Sequence, residues 1–163
     1  MEKTRDGNGC STRYYLVNCA NKLPRMSLSP DKFYKRLFII DDDMEDQEIF
    51  MDAIREVDGS IQCYSATTGE DALEQLEREV VMLPDLIFLD LNMPKLNGKQ
   101  ILGEIKNRRS LKHIPVIMYS TSFAPKDIEE INQLGAVFHL LKPSRFEDLC
   151  QSLEVILSKD WSG

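Results

Sequence analysis

From Leu37 onward, short apolar runs alternate with longer stretches in which apolar residues recur every three or four positions. Leu37-Phe38-Ile39-Ile40 ends in acids and predicts a buried strand. Residues 44–57 place Ile49, Phe50, Ala53, Ile54 and Val57 on one helical stripe, closed by Gly59. Residues 61–65 alternate apolar and polar, the pattern of a half-exposed strand, and Gln62 within it suggests a sheet edge. Thr67 and Glu70 stand at capping-box spacing before Ala72, Leu73, Leu76 and Val80, and Pro84 then punctuates.

The rhythm continues to the C-terminus. Leu86-Ile87-Phe88-Leu89 is a second buried strand, ending at Asp90. Beyond Pro94 and Gly98, a helix carries Ile101, Leu102 and Ile105. Residues 114–119 form another apolar strand, ending at Ser120. Pro125 suits the first turn of a helix with Ile128, Ile131 and Leu134, and Gly135 suits the position just past its end. Residues 137–141 are the last strand, ending at Lys142. Ser144 and Glu147 then cap a helix carrying Phe146, Leu149, Cys150, Leu153, Ile156 and Leu157. Five strand–helix units in strict alternation predict an α/β fold, a parallel sheet with helices on both faces.

Charge divides the chain unevenly. Residues 1–36 carry a net +5 and residues 37–163 a net −12. So acidic a body is a poor general nucleic-acid binder, because phosphate contacts need clustered Lys and Arg. Residues 1–36 show no sustained period and read as a flexible basic N-terminal tail. It is a functional arm, a leader left by expression, or an upstream stretch before a natural start at Met26. The four cysteines, at 10, 19, 63 and 150, form no Cys-x-x-Cys pair. Cys63 and Cys150 sit in apolar patterns and read as core residues. No apolar run reaches the roughly 20 residues of a membrane span, and no secretory leader is evident. The expected location is the cytoplasm.

Ligands of open α/β sheets bind outside the carboxyl ends of the strands. Those ends present Asp41, Asp42 and Asp43 after the first strand, then Asp90, Ser120 and Lys142. Crowded carboxylates repel, and a divalent cation relieves the repulsion. Magnesium, a lysine and a hydroxyl together would hold a phosphoryl group on a carboxylate, with Asp as nucleophile. Taken alone, Asp43 is better read as a helix N-terminal acid favoured by the dipole. Lys142 alone would be a solvated lysine, and Ser120 alone a turn residue. The signal is the whole set at successive strand ends.

These segments resemble response-regulator receiver domains of the CheY-like, two-component type. The residues that carry the resemblance are Phe38-Ile39-Ile40-Asp41-Asp42-Asp43, Pro84 to Pro94 around Asp90 with Gly98 beyond, Ile114 to Ser120, and Leu141-Lys142-Pro143. It covers residues 37 to about 158 and implies a receiver domain over 37–159. The implied fold is flavodoxin-like (βα)5 with strand order 2-1-3-4-5. Asp90 would accept a phosphoryl group from a phosphohistidine. Asp41, Asp42 and Asp90, with the Asn92 backbone carbonyl, would hold Mg2+ (or Mn2+). Ser120 would turn toward the phosphate, Lys142 would pair with it, and the Lys142–Pro143 bond would be cis. Asn92 and Ser122 occupy positions that tune the lifetime of the phosphorylated state in this family. His139 stands where the family usually has Tyr or Phe, so it is either a switch residue or a core histidine.

The resemblance implies a switch rather than an enzyme, one that assists its own phosphorylation and autodephosphorylation. Phosphate would add roughly −1.5 to −2 charge beside Lys142 and Ser120. The surface of the fourth helix, fifth strand and fifth helix would change with it. The expected partners are a sensor histidine kinase or phosphotransfer protein and a downstream protein target, with no nucleic acid and no membrane span. The chain ends just past the last helix, so no output domain is expected. Three rivals remain. Asp41-x-Asp43 also resembles the nucleophile motif of haloacid-dehalogenase-like phosphatases, with Asp41 attacking. A receiver-like module could bind partners without phosphate. A flavin-binding module of similar fold is the third, and it would need a Ser/Thr/Gly-rich phosphate loop, which does not follow the first strand here.

Overall fold

The computed structural model describes residues 33–78 and 82–161. The basic segment up to residue 32, with Cys10, Cys19 and Met26, lies outside the described residues, as does Val80. The chain runs β1 (Arg36–Ile40), α1 (Met44–Asp58), β2 (Gln62–Ala66), α2 (Gly69–Glu77), β3 (Leu86–Leu89), α3 (Gly98–Asn107), β4 (Val116–Ser120), α4 (Pro125–Gln133), β5 (Phe138–Leu141) and α5 (Phe146–Leu157). The strands form one parallel sheet of order β2-β1-β3-β4-β5. This is the expected flavodoxin-like order, with β2 at an edge.

The side-chain period of two splits each central strand between two cores. Phe38, Ile40, Ile87, Leu89, Val116 and Met118 face α2, α3 and α4. Leu37, Ile39, Leu86, Phe88, Ile117 and Tyr119 face α1 and α5. That double burial is why β1, β3 and β4 read as unbroken apolar runs. In the second core the rings of Phe50 and Phe88 pack at 4.7 Å between centroids, and Phe50 and Tyr119 at 5.5 Å.

Several local expectations need correction. Thr68, not Thr67, caps α2, its hydroxyl accepting from Asp71 N–H. No side chain caps α5, whose cap position is Arg145 rather than Ser144. Ile49, Leu134 and Phe146, expected on apolar stripes, are exposed. Cys63 and Cys150 are half-buried, and burial pushes the Cys63 thiol up to about 12. Gly135 takes the left-handed φ of 94° just beyond α4, as expected.

Candidate functional site

The sheet register brings the strand ends together. Ile40 lies opposite Leu89, and the Asp90 N–H donates to the Ile40 carbonyl at 2.8 Å. Ser120 lies opposite Leu141, and the Lys142 N–H donates to the Ser120 carbonyl at 2.8 Å. Carboxylate oxygens of Asp41, Asp42 and Asp90 all lie within 4.8 Å of one another. Asp41 and Asp90 are buried and Asp42 is exposed, so the cluster opens to solvent on one side.

Lys142 closes the cluster. Its Nζ donates to Asp41 Oδ2 at 2.6 Å and to Asp46 Oδ2 at 2.7 Å, and sits 5.3 Å from the centre of the Tyr119 ring. Burial works against the ammonium charge, but the hydrogen bonds that Lys142 donates to Asp41 and Asp46 and the charges of Asp41 and Asp90 outweigh it. Lys142 is therefore held well above the ordinary lysine range. Burial raises the Asp41 carboxyl, and the nearby Asp90 charge adds to it. The Lys142 hydrogen bond and the Asp43 N–H pull the other way.

Helix α1 is pinned to this edge. Asp43 is its N-cap, accepting from the N–H groups of Glu45 and Asp46, and its own N–H donates to Asp41 Oδ1. That is the helix-terminal role expected of Asp43. Buried Gln47 donates to the carbonyls of Asp41 at 2.6 Å and Ala66 at 3.0 Å, tying α1 to the ends of β1 and β2. On the other flank the Asn92 side-chain amide donates to Ser120 Oγ at 3.0 Å. Ser120 is buried and Ser122 exposed.

His139 is half-buried, edge-on to Phe123 at 5.3 Å and stacked on Phe138 at 5.9 Å. Burial lowers its pKa, which favours a neutral ring. The Lys142–Pro143 bond is not cis: no cis peptide occurs among the described residues. Trans is the lower-energy isomer by about 0.5–1 kcal/mol even before proline. Sequence reasoning missed Asp46 and Gln47. Asp46 is a first-turn acid, indistinguishable in sequence from one favoured by the helix dipole.

The donor set fits a hard divalent cation: three carboxylates converge, one of them solvent-facing, with no sulfur or imidazole among them. Residues 37–154 match the response regulator receiver domain family. This chain belongs to that family.

Receiver domains are phosphoacceptor switches, and they bind Mg2+ or Mn2+ at an acidic pocket. The polar-differentiation response regulator DivK of Brucella ovis is 34% identical over 110 residues, covering 67% of this chain and 85% of DivK. The phosphorylated cyanobacterial phytochrome response regulator RcpA superposes with a TM-score of 0.70 at 30% identity, covering 76% of this chain and 91% of RcpA. The Mn(2+)-bound form of response regulator Rcp1 superposes with a TM-score of 0.68 at 28% identity, covering 75% and 91%. Rcp1 is a protein of Synechocystis. The chain spans about half the length of several other curated relatives it matches, 50% of one and 52% of another. The phosphatase reading with Asp41 as nucleophile is not favoured by these likenesses. No helix among the described residues is long and apolar enough to cross a membrane.

Proposed function

We propose that this receiver domain is a phosphorylation-driven binding switch whose acceptor is Asp90. The observation that carries the reading is the meeting of Asp41, Asp42 and Asp90 within 4.8 Å at the ends of β1 and β3, with Lys142 on Asp41. A carboxylate oxygen of Asp90 attacks the phosphorus of a phosphohistidine on a sensor kinase or phosphotransfer protein. The P–N bond breaks, its electron pair returns to the imidazole, and an O–P bond forms on Asp90. Mg2+ or Mn2+, held by Asp41, Asp42, Asp90 and the Asn92 carbonyl, supplies neutralising charge when bound.

Lys142 and Ser120 then receive the new charge. The Lys142 ammonium reaches a phosphoryl oxygen, and Ser120 exchanges the Asn92 amide for another. Autodephosphorylation is the attack of water on the same phosphorus, which releases inorganic phosphate and restores the carboxylate. Asn92 and Ser122 flank that water's approach and set the lifetime. The Ser120 movement reaches the β4–α4 loop, with His139 and Phe123 beside it.

Output passes through the α4–β5–α5 face to a downstream protein. Two features support this. Only Ile131 of α4 is buried, and Leu134, Val137, Leu141 and Phe146 are exposed, Leu141 at 56%. The cytoplasm is the compartment where such a kinase and target are met. The receiver unit of 37–159 also takes in Arg36, which lies in β1, and Tyr34, which is buried in the second core.

Labelling with acetyl phosphate and Mg2+ tests the acceptor. The wild-type chain takes up one labile phosphate and Asp90→Asn takes up none. Asp41→Asn keeps a capacity to be labelled, at a slower rate. Loss of label only in Asp41→Asn would favour the phosphatase reading instead.

A further inference from the structure

Asp46 lies outside the three-carboxylate cluster, yet it holds Lys142 as closely as Asp41 does, at 2.7 Å against 2.6 Å. The Lys142 side chain is 9% exposed, the Asp41 side chain 1% and the Asp46 side chain 35%. An ammonium has three N–H donors. Two are committed to these carboxylates, and the Tyr119 ring stands close by. Asp46 is itself fixed, because its N–H is bonded to the Asp43 cap on the first turn of α1.

The two anchors differ in what the site does to them. A divalent cation at the cluster satisfies Asp41 and weakens its hold on Lys142. Asp46 is not among the cluster's carboxylates, so its charge remains to attract the ammonium. We infer that Asp46 is a positioning residue, which competes with the phosphoryl group on Asp90 for the Lys142 ammonium and so sets how tightly the site holds a phosphoryl group. The inference rests on Asp90 being the acceptor. A phosphoryl oxygen takes the remaining N–H or displaces a carboxylate, and in either case, with the cation bound, the charge that draws the ammonium away from it is that of Asp46. A helix-dipole role for Asp46 would change the stability of α1 without passing through Lys142.

Beryllofluoride, a mimic of the phosphoryl group, reads this directly without turnover. Its affinity for the full chain is measured by calorimetry at saturating Mg2+, with thermal melts of each variant alongside. Asp46→Asn binds about three- to fivefold more tightly than wild type, the scale of a partly exposed ion pair. Asp46→Glu, which keeps the charge, binds like wild type. In a Lys142→Met background, Asp46→Asn changes nothing, because the competition it relieves is gone. Unchanged or weaker binding by Asp46→Asn overturns the inference. So does a gain of equal size in the Lys142→Met background, which would assign Asp46 a general field effect. Those results leave the acceptor reading intact, whereas a wild-type chain that binds no beryllofluoride overturns both.

Discussion

Gly98 governs how closely the chain after β3 can fold back on Asp90. Its N–H donates to the Leu91 carbonyl at 3.0 Å, and a Cβ there would fall 2.2 Å from the Asp90 carbonyl oxygen and 2.8 Å from Leu91 Cα. Both obstacles are backbone, so no rotamer relieves the clash. Gly98→Ala should cost about 1–3 kcal/mol, read from the urea midpoint, and should slow labelling of Asp90. An unchanged midpoint would mean that the loop yields freely. His139 makes a pH prediction. Its folded pKa is lowered by burial, while the unfolded imidazole stays near 6.5. The unfolded state therefore binds more protons in this window. Stability is complete above the unfolded value and is lost as pH falls through it toward the folded one. The urea midpoint should drop between pH 7 and 5 more steeply in wild type than in His139→Phe, and parallel profiles would contradict this. Single residues also show where sequence reading stops. Asp41, Asp42, Asp90, Ser120 and Lys142 were legible because each stands at a strand end. Asp46 and the Asn92–Ser120 bond were not, because they depend on how a helix and a loop are seated.

Helix α4 buries fewer residues than any other helix among the described residues, Ile131 alone. Its N-terminal turn is set by polar contacts: Asp127 accepts from the Ala124 N–H at 3.0 Å, and Lys99 of α3 bridges Asp127 at 2.7 Å and also Glu130. These hydrogen bonds raise the Lys99 pKa and lower those of Asp127 and Glu130. Lys99→Met should speed amide exchange in residues 128–133 while leaving α5 unchanged, and equal exchange in the variant would remove Lys99 as the tether. The same sparse burial explains an error of sequence reading. A period of 3.6 shows which residues share a face, but not how wide a stripe the neighbouring layer covers. At the β5 edge the cover is narrow, so Leu134 and Phe146 are exposed despite correct spacing. On α1, Ile49 lies just outside the stripe, which runs through Phe50, Ala53 and Ile54. The strands were read more reliably, because β1, β3 and β4 are buried on both faces and need no choice of side.

At the scale of the molecule, the alternation of elements implied a parallel sheet, but strand order came only from likeness to a family. Nothing in the five strand segments states that β3 crosses to lie beside β1. That crossing makes the site, because it sets Asp90 next to Asp41. The folded chain holds its carboxylates together against their repulsion, and the unfolded chain does not, so a cation that binds them stabilises the fold. Mg2+ at a hundredfold over its dissociation constant should add about 2.7 kcal/mol, seen as a rise in Tm that EDTA reverses and that Asp42→Asn diminishes. A Tm indifferent to Mg2+ would remove the metal from the account. The central claim is that Asp90 carries the phosphoryl group, and reductive trapping tests it most directly. Borohydride converts an aspartyl phosphate to homoserine, which peptide mass spectrometry locates after treatment with acetyl phosphate and Mg2+. The account predicts homoserine at position 90 and nowhere else. Homoserine at position 41, or phosphate that survives acid on Ser120, would contradict it.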